Sequence, residues 1–370
     1  MTDLFDRGDG FGPAKVVHVR EPSIGLRAVL VIDNVARGPA VGGLRMAPDV
    51  TVEECIRLAR AMTLKNSAAG LAHGGGKSVL WGDPRMPREN KERLIRACAH
   101  ALRHEEDYIF GPDMGTDEAC MAWIKDEIGR AVGLPAAMGG IPLDAIGATG
   151  WGLSHAADVA ARYCGVSLDG ARLAIQGFGA VGTHTARFLR EKGARLVAVS
   201  DTVGTLRDPV GLDVAQLVEL KKGGKSVRDH LAGEKLDRDA IIDIECDIWI
   251  PAARPDVIRE DNVGRLRTTL VLQGANIPFS SGAEQTLHDR GVLVVPDFIA
   301  NAGGVICAAM EYRGATESQA FQAIEEKIRA NVEAVLSDAG AARVPPRQAA
   351  IRLAGARVEE AMSYRRFRLM

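Results

Sequence analysis

Two lysines and an aspartate in the first third of the chain have types and surroundings suited to proton chemistry. Residues 62–78 read MTLKNSAAGLAHGGGKS, with Lys65 near the end of a helical pattern and Lys77 directly after three glycines. A lysine beside Gly-Gly-Gly gains no helix support and has no core to pack into, so its ammonium reads as positioned for use. Asp113 stands in FGPDMGTDE, a turn interrupted by glycine and proline after an apolar run. Taken singly, a surface lysine and an Asx turn account for these residues equally well.

A second constellation is more specific. Gly177, Gly179 and Gly182, with Ala180 and Val181 between the last two, stand directly between the strand pattern ARLAIQ and a helix running to Lys192. An acid, Asp201, closes the next strand pattern, ARLVAVSD. This is the strand, glycine turn, helix, strand unit that binds dinucleotides. The first glycine permits the tight turn, the second lets the pyrophosphate reach the backbone, and the third lets helix and strand pack closely. The helix N-terminus offers unpaired N–H donors to the phosphates. Asp201 is expected to accept hydrogen bonds from the adenosine ribose. It would repel a 2′-phosphate within about 4 Å by roughly 4 kcal/mol per unit charge at an effective dielectric of 20. NAD is therefore expected rather than NADP, with Arg207 as the residue able to compensate a phosphate.

The elements that must position these groups suggest an α/β protein of two domains with a cleft between them. At 370 residues the chain exceeds what one hydrophobic core usually holds. KVVHVR at 15–20 and RAVLVI at 27–32 read as neighbouring strands. Thr51 and Glu54 open a helix with Cys55, Leu58, Ala59 and Met62 at helical spacing. A helix at roughly 87–104, a strand at 107–110 and a helix from near Thr116 complete a first α/β domain, 1–138. The glycine-rich stretch 139–150 reads as a hinge. It opens a Rossmann-type domain, 139–317, in which CDIWI-PAA, TLVLQ-GAN and VLVVPDFIA-NAGG are apolar strands ending in small or polar residues that line one crevice. Ala252 and Asn276 lie at two of those ends. Residues 318–370 read as helices packing back toward the first domain, with Phe321, Ile324, Ile328, Val332 and Val335 on one face.

Over nearly its full length the chain resembles the glutamate/leucine/phenylalanine/valine dehydrogenase superfamily. The motifs are GPAVGGLRM at 38–46, MTLKNSAAGLAHGGGKS, GPDMGTDE, GATGWG at 147–152, GFGAVG, QGAN and ANAGGVICAAMEY at 300–312. The resemblance implies reversible oxidative deamination of an L-amino acid to its 2-oxo acid and ammonia. It implies that Lys77 is the catalytic lysine, Asp113 the catalytic aspartate and Lys65 the holder of the substrate α-carboxylate. Gly42 and Gly43 then border the substrate, Thr149 and Asn301 stand near the nicotinamide, and Asn276 lies in the cofactor crevice. The chemistry fits these types. Hydride loss from Cα leaves an iminium, water adds to it, and the carbinolamine expels ammonia, each later step moving a proton. A lysine of ordinary pKa, about 10.4, is a poor base at neutrality. Enclosure beside a second ammonium, Lys65, would bring it toward about 7–8. Asp113 can shuttle a proton to and from the amino group.

The same resemblance bears on the substrate. Glutamate enzymes of the family carry a lysine just before GGLR and a serine after NAGG, which bind the side-chain carboxylate. Here those positions are Val41 and Ala308, and Met62 stands where glutamate enzymes have glutamine. A carboxylate buried there without partners would cost several kcal/mol, on the order of the usual penalty for an uncompensated charge. The expectation is an apolar amino acid, branched-chain or aromatic, as in the leucine/phenylalanine branch, with Gly111 widening the pocket. The alternative is a glutamate dehydrogenase with a rearranged carboxylate site, for which Arg45, Lys15 or Arg313 would have to reach inward. A third reading is a catalytically silent nucleotide-binding protein of the same fold.

Bulk composition excludes other classes. Lys plus Arg, 46, nearly balance Asp plus Glu, 48, with no long run of one sign, so neither nucleic acid nor an anionic membrane is an expected partner. Six cysteines without CxxC spacing read as reduced apolar residues, and the N-terminal MTDLFDRGDGFGPAK lacks the apolar core of a signal peptide; both suggest the cytoplasm. The histidines show no metal-ligand spacing, and no metal is expected; the family resemblance implies a homo-oligomer.

Overall fold

The computed structural model describes residues 8–369; the first seven residues of the stretch examined above for a leader, and Met370, lie outside the described residues. The chain forms two compact units. One comprises the chain up to Pro142 together with Val305–Ala320 and the residues from Ile351 onward, and the other Leu143–Gly304 and Phe321–Ala350.

The first unit is built on a mixed five-stranded sheet. Its strands are β1 (Lys15–Glu21), β2 (Leu26–Asn34), β3 (Ala40–Ala47), β4 (Gly74–Trp81) and β5 (Tyr108–Pro112), in the order β1-β2-β4-β3-β5. Strand β3 lies between β4 and β5 and runs parallel to both. Helix α1 (Val52–Ala68) starts at Thr51, whose hydroxyl accepts the Glu54 N–H, and covers one face. Its Cys55 and Ala59 pack with Val29, Val31, Ala47, Val50 and Val79. Helices α2 (Arg88–Ala101) and α3 (Glu118–Ile128) cover the other, around Leu30, Leu44, Met46, Leu80, Tyr108 and Phe110.

The stretch GPAVGGLRM, valued only as a motif, supplies most of β3, an interior strand with parallel neighbours along both edges and helices over both faces. The three glycines before Lys77 are the start of strand β4. A Cβ at Gly74 would lie 1.9 Å from the Asn34 carbonyl oxygen, at Gly75 2.0 Å from the Thr63 amide nitrogen, and at Gly76 2.9 Å from the Tyr108 ring. Glycine inside a strand marks close approach of its neighbours, and here they approach from both faces.

The second unit carries a seven-stranded sheet ordered β12-β11-β10-β6-β7-β8-β9. The parallel strands are β6 (Arg172–Gln176), β7 (Arg195–Ser200), β10 (Ile248–Pro251), β11 (Leu270–Leu272) and β12 (Leu293–Val295). Strands β8 (Thr205–Arg207) and β9 (Glu234–Leu236) extend it antiparallel. Its helices are α4 (Leu143–Ile146), α5 (Ala148–Cys164), α6 (Ala180–Glu191), α7 (Val214–Lys222), α8 (Ser281–Asp289) and α9 (Asp297–Ala300). Helices α10 (Gly303–Tyr312), α11 (Glu317–Ala342) and α12 (Pro346–Ser363) complete the chain.

The stretch read as a hinge is largely helical. Gly147 is the left-handed N-cap of α5, and Gly150 lies within it because a Cβ there would sit 2.7 Å from the Thr185 amide nitrogen on α6. Gly150 thus serves close packing of α5 on α6, while the boundary between the two units, after Pro142, falls within this stretch. The apolar stripe of α11 is buried at Ile324, Ile328, Val332 and Val335, and the Trp151 indole donates to the Phe321 carbonyl at 3.1 Å within this second unit. From Ile351 the chain joins the first unit, where the Ser67 hydroxyl donates to the Ala354 carbonyl at 2.8 Å.

One buried charge network ties α12 to the second sheet. The Arg347 guanidinium donates to Glu284 at 2.6 Å, to Asp297 at 2.9 Å and to the Gln273 side-chain oxygen at 2.8 Å. Glu284 and Asp297 are buried, so removing the cation strands two carboxylates. Arg347→Met is expected to cost about 3–5 kcal/mol of stability. The check is the midpoint of chemical denaturation; an unchanged midpoint would contradict it.

Candidate active site

The first unit brings Lys77 and Asp113 into contact. Lys77 lies on β4 and Asp113 just beyond β5, with β3 between, so the two strands stand about 10 Å apart. A lysine stem spans that distance only if nothing projects from β3. The gap is Gly43. A Cβ there would lie 3.1 Å from Lys77 Nζ, 2.7 Å from Asp113 Cβ and 2.9 Å from the Pro112 carbonyl oxygen. Across this bare strand Lys77 Nζ meets Asp113 Oδ2 at 2.5 Å, and Arg45 Nε donates to the same oxygen at 3.0 Å. Arg45 also pairs with Glu54 of α1. Gly42, on the opposite face, has its carbonyl bonded by the Tyr108 hydroxyl at 2.8 Å, and a Cβ on it would collide with the Gly76 carbonyl.

The turn after β5 is fixed by Thr116, whose hydroxyl accepts the Asp113 N–H at 3.0 Å and donates to the Leu44 carbonyl at 2.8 Å. Burial pushes the Asp113 carboxyl up, but the Lys77 ammonium and the Arg45 guanidinium more than offset it, so its pKa lies below the ordinary carboxylate value. Asp113 therefore stays ionised throughout neutral pH. The cluster contributes stability above the ordinary carboxyl range and loses it only as pH falls through the lowered value.

Helix α1 lies over the face of β4 from which Lys77 projects: the Cys55 thiol contacts the Lys77 carbonyl at 3.3 Å, and the Asn66 amide donates to the Gly74 carbonyl at 2.7 Å. Lys65, half-buried, is on the last turn of that helix, with Met62 one turn earlier. Val41 and Ala308 pack together with Ile109 and Val132 as a small apolar cluster. Met62, half-buried, is not a member of it.

The second unit shows a cradle for a dinucleotide at the point where strand order reverses, between β6 and β10. Gly177 is left-handed (φ 99°), and its missing Cβ would lie 2.7 Å from that of Ala253. A Cβ on Gly182 would strike the Gly177 carbonyl at 1.9 Å, whereas Gly179 faces open space. Gly179 is the N-cap of α6 and makes no side-chain cap, leaving the amides around Ala180 and Val181 to a ligand. These observations fit a pyrophosphate. The Ala252 N–H donates to the Gln176 carbonyl at 2.7 Å, fixing the next strand end. The buried Asn301 amide donates to Asn276 Oδ1 at 3.0 Å and to the Gly274 carbonyl at 3.2 Å. Thr149 is in the first turn of α5, half-buried, near Gly304. Asn276, Asn301 and Ala252 thus share the strand-end region, as the sequence suggested.

Asp201 departs from expectation. Its carboxylate is buried and accepts from Lys221 Nζ at 2.9 Å, the Ser226 hydroxyl at 3.0 Å and the Val203 and Val227 amides at 3.0 Å each. A carboxylate has about four lone-pair sites, and these partners occupy them. Burial raises its pKa, but these donors outweigh it and the group stays ionised, paired internally with Lys221. It is therefore neither a free acceptor for ribose nor an uncompensated charge against a 2′-phosphate. Arg207, considered as a compensating cation, is paired with Glu234 at 3.0 Å.

Arg45 and Thr116 are site residues that the sequence reading did not place beside Asp113. The signal for Arg45 was available, since it lies two residues after Gly43 on a strand and so on the same face. Of the cations considered for a side-chain carboxylate, Arg45 is engaged with Asp113 and Glu54, Lys15 pairs with Glu105 at 3.1 Å, and Arg313 is exposed.

Comparison with known proteins gives a consistent picture. Residues 13–130 match the domain described as "Glu/Leu/Phe/Val dehydrogenase, dimerisation domain", and residues 139–366 match "Glutamate/Leucine/Phenylalanine/Valine dehydrogenase". The chain is 41% identical over 322 residues to the NADP(+)-dependent glutamate dehydrogenase of Pyrobaculum calidifontis, covering 82% of this chain and 76% of that protein. It is 36% identical over 292 residues to the NADP-specific glutamate dehydrogenase of Saccharolobus shibatae, covering 75% and 69%. The crystal structure of the hetero-hexameric glutamate dehydrogenase from Thermus thermophilus, in its Leu-bound form, superposes with a TM-score of 0.84 at 29% identity, covering 94% of this chain and 89% of that one. These likenesses correct two expectations. The NAD preference is overturned by the NADP-dependent relatives, and the inward-turned Asp201 removes its physical basis. The placement nearer the leucine/phenylalanine branch, read from Val41, Met62 and Ala308 in the pocket, also gives way to the glutamate dehydrogenase relatives, because three apolar positions are too few and too exchangeable to place a chain within the family.

Proposed function

We propose that this chain, which belongs to the glutamate/leucine/phenylalanine/valine dehydrogenase family, catalyses reversible NADP(H)-dependent oxidative deamination of an L-amino acid, with glutamate and 2-oxoglutarate as the first pair to test. The observation that carries the reaction class is the Lys77–Asp113 contact across Gly43. The choice of pair rests on the printed activities of the relatives at 41% and 36% identity. The bound nicotinamide cofactor accepts or supplies the hydride at the substrate α-carbon. The chain's own residues do the rest. Lys65 holds the α-carboxylate, Lys77 takes a proton from the water that adds to the iminium carbon, and Asp113 relays protons to and from the amino nitrogen. Gly177, Gly179, Ala180, Val181 and Gly182 hold the pyrophosphate; Thr149, Ala252, Asn276 and Asn301 border the cofactor. The match to a dimerisation domain and the hexameric neighbour support an oligomer.

A second reading, an apolar monocarboxylic substrate, is favoured by one observation: Val41 and Ala308, where glutamate enzymes carry lysine and serine, pack together with Ile109 and Val132. Initial rates of reductive amination separate the two. With NADPH, 2-oxoglutarate is expected to exceed 4-methyl-2-oxopentanoate and phenylpyruvate in kcat/KM. The reverse order would transfer the assignment to the apolar reading. With the best substrate, NADPH is expected to exceed NADH by at least about tenfold in kcat/KM, equivalent to the loss of one charge-assisted contact. Equal rates would refute the cofactor assignment.

A further inference from the structure

We propose that Glu311 is a positioning residue for substrate selection, setting the place of both the Val132 wall of the side-chain pocket and the seat of Asp113. This rests on the reading of the chain as an amino acid dehydrogenase. Glu311 lies on α10 one turn after Ala308, and it is buried. Its Oε1 accepts from the backbone N–H of Gly133 at 2.8 Å and of Leu134 at 3.1 Å, and its Oε2 from that of Ile141 at 2.8 Å. One side chain thus gathers three amides from the segment between α3 and Pro142.

That segment contains one short 3-10 turn, Ala136–Met138. Its first half is fixed to the sheet, where Ala131 bridges Phe110, the Val132 N–H donates to the Phe110 carbonyl at 2.8 Å, and Ala131 and Leu134 are buried in the main core. Its polar tie to α10 is Glu311. Charge-assisted bonds from a carboxylate to backbone amides are about twice as strong as neutral ones, so the buried anion is the dominant tie between this segment and α10.

Two site features depend on the tie. Val132, immediately before Gly133, packs with Val41, Ile109 and Ala308, so Glu311 links two members of that cluster through one helix turn and one peptide. Gly133 is left-handed (φ 73°) and backs onto Pro112, with a Cβ position only 2.6 Å from the proline Cδ. Pro112 directly precedes Asp113. Displacement of Gly133 therefore moves the pocket wall and the acid's backbone together. A purely architectural bond would affect stability and leave discrimination among substrates alone.

The test compares wild type, Glu311→Gln and Glu311→Ala in reductive amination of 2-oxoglutarate, 4-methyl-2-oxopentanoate and phenylpyruvate with NADPH, together with NADPH affinity by fluorescence titration and the melting temperature. Glutamine keeps one oxygen for two of the amides and turns an NH2 group on the third, so it keeps the fold while loosening the wall. In both variants kcat/KM for the preferred oxo acid is expected to fall by at least about tenfold, through a raised KM and a lowered kcat as wall and acid move together, and preference over the second-best acid is expected to fall about tenfold. NADPH affinity is expected to stay as in wild type. Substrate ratios unchanged in the glutamine variant, whatever its melting temperature, would overturn the role of Glu311 alone. A wild type inert on every oxo acid would overturn the dehydrogenase reading and this proposal with it.

Discussion

Lys77→Ala is expected to lower kcat by about 10³–10⁴-fold, the range of a lost general acid–base group, with NADPH binding close to that of wild type. Lys77 is buried and its Nζ meets Asp113 at 2.5 Å. Alanine removes the amine from Asp113 and leaves it bonded to Arg45, a cation that keeps its proton. The loss is specific to proton transfer rather than to charge. Lys77→Arg restores a cation, but a guanidinium does not release its proton in proteins, so that variant is expected to stay as inactive as the alanine one. The assay is NADPH oxidation at 340 nm alongside a binding titration. Retention of most of the turnover in the alanine variant would end the assignment of Lys77, and recovery of activity in the arginine variant would reduce its role to electrostatics.

The second large effect is expected at a residue with no side chain. Gly43→Ala adds one methyl group between Lys77, Asp113 and the Pro112 carbonyl, all within about van der Waals contact or closer of the added carbon. Lys77 can retreat, but the Pro112 backbone and Asp113 Cβ cannot do so without shifting β5. A displacement of about 1 Å between reacting groups costs on the order of 10²-fold in rate. Overpacking a tight site costs typically about 1–3 kcal/mol in stability. The expectation is a kcat/KM lower by about two orders of magnitude, a modest fall in melting temperature and intact NADPH binding. Near-normal kcat/KM in Gly43→Ala would mean that the Lys77–Asp113 contact is not needed for turnover. The two variants are complementary, since one removes a reacting group and the other removes only its geometry.

Much of this site was readable before any coordinates, for a chemical reason. Glycines at 177, 179 and 182 between a strand and a helix are demanded by local contacts: Gly182 against the Gly177 carbonyl, Gly177 against Ala253. Helix periodicity after Thr51 and along 321–335 is likewise local, because burial of one face repeats every three to four residues. Pairing across strands is not. Nothing in GPAVGGLRM states that it lies between the strands of Lys77 and Asp113, or that Gly43 separates those two side chains.

Side-chain partners chosen from afar explain the remaining differences. Asp201 stands where a ribose-binding acid is expected, yet Lys221, Ser226 and Val227, 20 to 26 residues downstream, return to saturate it. Glu311 gathers amides 170 to 178 residues away. The sequence by itself determined the glycine turn between strand and helix, since it is written in residue type and short spacing, whereas Lys77 and Asp113 were joined only through the family resemblance. Only the tertiary structure decided that Asp201 is spent on an internal ion pair while Asp113 meets Lys77, because that depends on which donors, distant in sequence, the fold brings to each carboxylate's few lone pairs.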